Sequence, residues 1–210
     1  MNIRPFFFLS AFVFFLGTSF AQNDTWCAVM MEGGFAQTYD HSKDFPQTFI
    51  KEQWNKGQYI TDITYAQGEW YVVTGKNEYT QQAYYKDKKF PGTWIEKKWK
   101  EGFDITKTAY GGNTWVVVMS KGANLTQESW GKHQSFDDIK LYIRKHWKGG
   151  KDIINISYGN GEWVATLANG GDYYEQVYNA GKKFPVDWVN EKYAEGKHIT
   201  NLAYGEGSWI

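Results

Sequence analysis

The side chains best suited to metal or acid–base chemistry are four histidines, His41, His133, His146 and His198. No two stand four apart on one helix face, the spacing that aims two imidazoles at one metal ion. Each sits in a different sequence context, and a surface or capping role accounts for all four. Carboxylates are plentiful, among them the pair Asp137-Asp138, Glu69 and Glu162. Glu69 and Glu162 flank equivalent tight turns, which reads as solvated turn chemistry. A glycosidase pair would have to be held about 5–10 Å apart across a cleft. No Ser stands in a G-x-S-x-G elbow. We therefore expect no catalysis, no metal and no cofactor. Aromatic side chains remain as the means of recognition, because a ring offers a large stacking face with a polar tip. Tyr85, Trp130, Tyr142, Tyr173 and Tyr174 are the ligand-binding candidates, with Tyr59 and Tyr71 behind them. They vary between repeats, so the scaffold does not require them.

Composition narrows the partner. Lys+Arg and Asp+Glu both number 23, a balance that excludes a nucleic-acid binder driven by basic charge. One cysteine, Cys27, excludes both a disulfide scaffold and a cysteine zinc site. It lies in the apolar run Trp26–Met30 and is expected to be buried. Residues 1–21 read as a secretory signal: Arg4, an apolar run from Phe6 to Leu16, then Ser19-Phe20-Ala21 as a cleavage site. The mature chain is expected to begin at Gln22, to be secreted or periplasmic, and to have no membrane association once the signal is cleaved. Residues 22–210 then form a single repeat domain.

The elements that must position any site come from one unit used four times. From Phe45, Trp54 follows at +9, Gly57 at +12, Ile60-Thr61 at +15 and +16, Tyr65 at +20 and Trp70 at +25. Phe90 and Phe184 start the same series, and Phe136 starts it with two residues inserted. The period is 45, 46 and 48 residues, in the range of solenoids, propellers and arrays. Ten of eleven tryptophans fall on repeat positions, with Trp130 as the exception, so the tryptophans read as core. Pro46, Pro91 and Pro185 at +1, with Gly at +12, bracket a short helix. Strand, tight turn and strand follow, with Asn160-Gly161 fitting a type I′ hairpin. A third strand is expected around Gln82–Tyr84, Gln37–Tyr39 and Gln176–Tyr178.

The expected fold is therefore mainly β with short helices: four strand-strand-strand-helix repeats of about 46 residues, closed into a four-bladed, propeller-like ring. Trp26 and Trp209 share one phase, so strand 26–31 would complete the last unit by pairing with Ile199–Tyr204. An open array, of which this chain is a fragment, is the competing reading. Position +17 (Asp62, Lys107, Asn155, Asn201) would lie near the mouth of a ring channel. Position +19 (Thr64, Ala109, Ser157, Ala203) is always small. The simpler account of that smallness is room for the neighbouring Trp.

The stretch FPGTWIEKKWKEGFDITKTAYGGNTWVVVMSKG, Phe90 to Gly122, resembles the repeat of the uncharacterised domain that follows the kinase domain in plant casein-kinase-I-like kinases. That repeat also occurs in bacterial proteins of unknown function. The resemblance spans roughly residues 26–210 and is weakest at Phe136, where Asp137 replaces Pro. It implies a repeat module without known chemistry, and the kinase motifs themselves are absent. The layout is also similar to hemopexin repeats, by architectural analogy alone. The expected function is an exported, non-catalytic module for protein–protein interaction or scaffolding, its partner a protein or a cell-surface glycan. Carbohydrate binding is the alternative.

Overall fold

The computed structural model describes residues 36–171 and 175–210. The expected leader, Cys27, the closing strand 26–31, Tyr173 and Tyr174 lie outside the described residues. The first unit holds β1 (Gln37–Ser42), α1 (Gln47–Asn55), β2 (Tyr59–Ala66) and β3 (Glu69–Gly75). The second holds β4 (Gln81–Asp87), α2 (Gly92–Lys100), β5 (Asp104–Gly111) and β6 (Thr114–Lys121). The third holds β7 (Leu125–His133), α3 (Phe136–Lys148), β8 (Asp152–Gly159) and β9 (Glu162–Gly170). The fourth has α4 (Val186–Ala194) and two short strands, β10 (Tyr204–Gly205) and β11 (Ser208–Trp209).

Local chemistry explains these boundaries. The Pro46, Pro91 and Pro185 carbonyls accept the first helical bonds, from the Ile50, Ile95 and Val189 N–H groups. In the third unit, Ser135 replaces the proline device. Its Oγ accepts from the Asp138 N–H, and Asp137 and Asp138 stand at the positive end of the helix dipole. Asp137 in place of proline is thus an exchange of one helix start for another. Gly57, Gly102, Gly150 and Gly196 end the helices at φ of 70°, 80°, 84° and 80°, where a Cβ would be strained. The hairpin turns Gln67-Gly68, Gly112-Asn113, Asn160-Gly161 and Glu206-Gly207 have positive φ at both residues, as type I′ turns require.

Pairing shows where the third strand goes. The strand over Gln82–Tyr84 pairs forward with β6 and does not pair with β3. Each antiparallel sheet therefore has the order outer, middle, inner: β1-β3-β2, β4-β6-β5 and β7-β9-β8. Inner strands of successive units face one another, β2 against β5, β5 against β8, and β8 against β10. The middle strand serves two cores. Val117 and Met119 join Ile95, Phe90 and Trp115, whereas Val116 and Val118 join Ile50, Phe45 and Trp70 of the unit before. Alternate residues of one strand point to opposite faces, so WVVVM must be apolar throughout. Trp115 and Trp163 are fully buried and Trp70 nearly so, as the repeat phase required.

The fourth unit departs from this pattern. Among the described residues, α4 has no buried position, and 197–203 is not strand. Its outer segment meets β11 only at Gly181, which exchanges two backbone hydrogen bonds with Trp209, of 2.9 and 2.7 Å. Ala203 and Ile210 exchange another pair, of 2.9 and 3.0 Å.

Candidate binding surfaces

Four inner segments line one cavity of about 510 Å³. It takes Asp62–Tyr65 from β2, Lys107–Tyr110 from β5, Asn155–Tyr158 from β8, and 199–204 from the fourth unit. The positions expected near a channel mouth, Asp62, Lys107, Asn155 and Asn201, all belong to it. A β-bulge in β2, β5 and β8, at Ile60/Asp62, Ile105/Lys107 and Ile153/Asn155, sets the direction of the first three. The Lys107 ammonium lies 3.5 Å from the Asp62 carboxylate. Asn155 is turned inward instead: its Oδ1 accepts from the Thr108 and Ser157 hydroxyls, and the Asn201 side chain accepts from the Ile156 N–H at 3.3 Å. The Thr108 carbonyl, 2.8 Å from Ser157 Oγ, is the alternative acceptor for that single O–H. The deeper polar residues thus tie neighbouring units together, and Asp62 and Lys107 supply the charge at the cavity.

Small residues also make the unit junctions. Tyr65 lies over Gly111, Tyr110 over Gly159, and Tyr158 over Gly205, each so close that a Cβ would overlap the ring. In the first unit the equivalent residue is Ala66. A second device closes each junction. The Gln82 Oε1 accepts from the Ile60 N–H at 2.7 Å and the Trp54 indole N–H at 2.9 Å. Its Nε2 donates to the Ile60 carbonyl at 3.0 Å. Gln176 clasps Ile153 in the same way, at 2.8 and 2.9 Å. Glu128 takes the place of Gln between the second and third units. The equivalent residues for a fourth junction are Gln37 and Tyr39, and both are exposed, Tyr39 by 70%. The sequence signal for the clasp was a Gln or Glu two residues before a third-strand aromatic.

The aromatic candidates separate. Trp130 is scaffold: it stands in the phase of Tyr84 and Tyr178, packs on Phe90 at 5.0 Å, and sits so close under Gly92 that a Cβ there would lie 2.8 Å away. This corrects its status as an exception to the repeat. Tyr142 is partly buried beneath β7, where Gly131 makes room for its ring. Burial raises its phenol above the usual range. His133 and His146 flank that ring at 5.3 and 4.4 Å, so the fold brings together two histidines that the sequence had left apart. Burial, then Lys151 and Lys145, lowers the His146 pKa. Among the described candidates, Tyr85 is the exposed one, 40% accessible, while stacking on Trp94 at 5.5 Å and 28°. His41 pairs with Glu69 at 2.8 Å, Lys132 with Glu162 at 2.9 Å, and Lys140 with Asp137 at 2.7 Å. Among the described residues, no group of three His, Cys, Asp or Glu could hold a metal ion.

A second cavity, of about 450 Å³, lies in the fourth unit. Val177, Tyr178, Val189, Ile199, Leu202 and Ile210 are among its walls. Six of the nine exposed large hydrophobic side chains among the described residues belong to this unit: Val177, Val186, Tyr193, Ile199, Leu202 and Tyr204. In the other units the equivalent space is filled by the middle strand.

No curated protein and no solved structure matches the chain. One family matches over residues 12–136 and again over 132–210, and its description is that of a domain of unknown function, DUF7477. Together the two matches span both the well-packed units and the incomplete one, and on that extent the chain belongs to the DUF7477 family.

Proposed function

We propose that this chain is an exported, non-catalytic repeat module that binds a protein partner at the cavity shared by its inner strands. The observation that carries this reading is the Asp62–Lys107 pair at that cavity, opposite charges from two different units. Side-by-side charges of opposite sign suit a polar protein segment and disfavour a partner of one sign. The test is capture of binding proteins from the extracellular milieu, compared between the wild type and Lys107→Glu. Loss of a specific partner in the variant supports the reading; unchanged capture sinks it. A glycan is the second reading, favoured by the exposed Tyr85–Trp94 stack. Binding on a glycan array that disappears in Tyr85→Ala would establish it.

The proposal includes a closed, propeller-like ring, laid out as in hemopexin, and kinship with the repeat that follows casein-kinase-I-like kinases. Support for closure comes from the unfilled fourth unit. In sequence, Ala28-Val29-Met30-Met31 repeats Val117-Val118-Met119-Ser120, and Trp209-Ile210 repeats Trp115-Val116. The 28–31 segment would extend the β11 ladder, with Val29 opposite Tyr178 as Val118 is opposite Tyr84. Gln37 and Tyr39 would then meet Ile199 and Phe184. In a closed ring the Ala66 methyl would take the space that Gly111, Gly159 and Gly205 leave for a tyrosine ring, so the strand and the Gln37 clasp would carry this joint. Val29→Cys with Tyr178→Cys, in a Cys27→Ser background, should form an intramolecular disulfide. No cross-link, or only a dimer, removes the ring and leaves the longer array.

A further inference from the structure

The three described clasps are one design carried out with two chemistries. At each bulge the isoleucine N–H and carbonyl turn away from the sheet ladder and need outside partners. The Gln82 and Gln176 amides answer both, the oxygen accepting from N–H and the nitrogen donating to the carbonyl. Glu128 occupies the same slot. Its two oxygens accept from the Ile105 N–H at 2.9 and 3.1 Å, and one also accepts from the Trp99 indole N–H. An ionised carboxylate is an acceptor only and has nothing to offer the Ile105 carbonyl. We propose that Glu128 makes the joint between the second and third units proton-dependent. With a proton it forms the same clasp as Gln82 and Gln176; without one it leaves the Ile105 carbonyl uncapped and an unpaired negative charge in the joint.

A second difference between the joints fits this assignment. The Gln82 amide has two N–H groups, and the second donates to Ser120 Oγ at 3.0 Å. A protonated carboxyl has a single O–H, and in the third sheet the residue in the Ser120 position is Ala168, which accepts nothing. Donors and acceptors therefore balance in the protonated joint. The groups that act on Glu128 are few. From α2 comes the Trp99 N–H; from β5 come the Ile105 N–H and the Asp104 carboxylate. The two N–H groups favour the ionised form. Burial opposes them and is the larger effect, with Asp104 adding to it, so the carboxyl is pushed from 4.5 to about 7. The Asp104 carboxyl is itself raised by burial.

The sign follows from linkage. A carboxyl whose pKa is higher folded than unfolded takes up a proton on folding. Its contribution is fully present below about pH 4.5 and is lost as pH rises through about 7. Lys107 is two residues along from Ile105, across the bulge and at the inner cavity. The switch thus rests on, and would regulate, the proposed binding site, although its own test needs no ligand.

The experiment is a series of thermal melts from about pH 5 to about pH 8 on the wild type, Glu128→Gln and Gln82→Glu. The advantage of Glu128→Gln over the wild type should be smallest at the acid end, grow with pH and level off above about 7. Gln82→Glu should acquire the opposite slope, losing stability as pH rises, in a joint that had none. A carbon-13 titration of the Glu128 carboxyl provides a readout that simple destabilisation would not move, with a midpoint near 7 expected. A wild-type-minus-variant difference that is constant with pH, or a Glu128 midpoint near 4.5, overturns the proposal.

Discussion

The second and fourth units share their signature residues and end in different states. Phe90, Ile105 and Trp115 are buried around a fully buried Ile95. Their counterparts Phe184, Ile199 and Trp209 surround a helix with no buried side chain, and Ile199 is 39% exposed. Tyr110 lies packed over Gly159, whereas Tyr204 is 50% exposed. The helix start, the Gly stop and the hairpin turn are sound in both units. What separates them is the stretch Val117–Lys121, which in the second unit pairs with β4 on one side and β5 on the other. Among the described residues no equivalent stretch lies between 176–180 and 199–202, and both are outside any ladder. An amphipathic helix and a strand sequence therefore do not make a unit here. The middle strand does, because it alone touches the inner strand, the outer strand, its own helix and the core of the neighbouring unit.

Substitutions can break or sharpen that contrast. The largest effect is expected from Trp115→Ala, which empties the centre of a complete unit and should cost about 3–5 kcal/mol in chemical denaturation. The same change at Trp209 should cost clearly less where the fourth unit stands as described, with its surroundings partly open; a loss equal to that of Trp115→Ala is the outcome expected of the closed ring. Trp130→Ala should also destabilise, by about 3 kcal/mol, because the indole fills the joint between Phe90 and Gly92. A tolerant Trp130 would return it to the ligand-binding candidates. Next comes Gly159→Ala, which places a methyl into the Tyr110 ring and should cost about 1–3 kcal/mol by overpacking. Ala66→Gly, at the position where the later units have Gly111, Gly159 and Gly205, should lose no more than about 1 kcal/mol. The smallest effect is expected at Tyr85. Tyr85→Ala should change stability by under about 0.5 kcal/mol, which leaves it free to be tested for binding.

Much of the architecture was legible in the residues. The recurrence of Phe, Trp, Gly, Ile-Thr, Tyr and Trp located every helix and hairpin, because caps, tight turns and buried rings each demand particular residue types within a few positions. Pairing of the third strand was not legible. Gln82–Tyr84 is compatible with either neighbouring hairpin, and only the packing of Tyr84 on Phe45 and the clasp on Ile60 decide how it bridges two units. Trp130 was misread for a related reason. Counting by residue type hid its equivalence to Tyr84 and Tyr178, which share its place and its neighbours but not its name. The partial burial of Tyr142 was not legible either, because nothing in the chain announces that Gly131, eleven residues earlier, clears a space for its ring.

By itself, the sequence determined the repeat, the local elements and the tryptophan core, since these rest on backbone geometry and burial repeated at fixed spacing. The tertiary structure alone decided which strands join which sheet, which aromatics remain open, and that four separate polar positions line one cavity. It also decided that Glu128 stands as a partly buried carboxyl where the other described joints have glutamine. The physical reason is that such properties belong to pairs of residues far apart in the chain. Glu128 looks like any surface glutamate until Ile105 and Trp99, more than twenty residues away, close over it and burial pushes its carboxyl up to about 7.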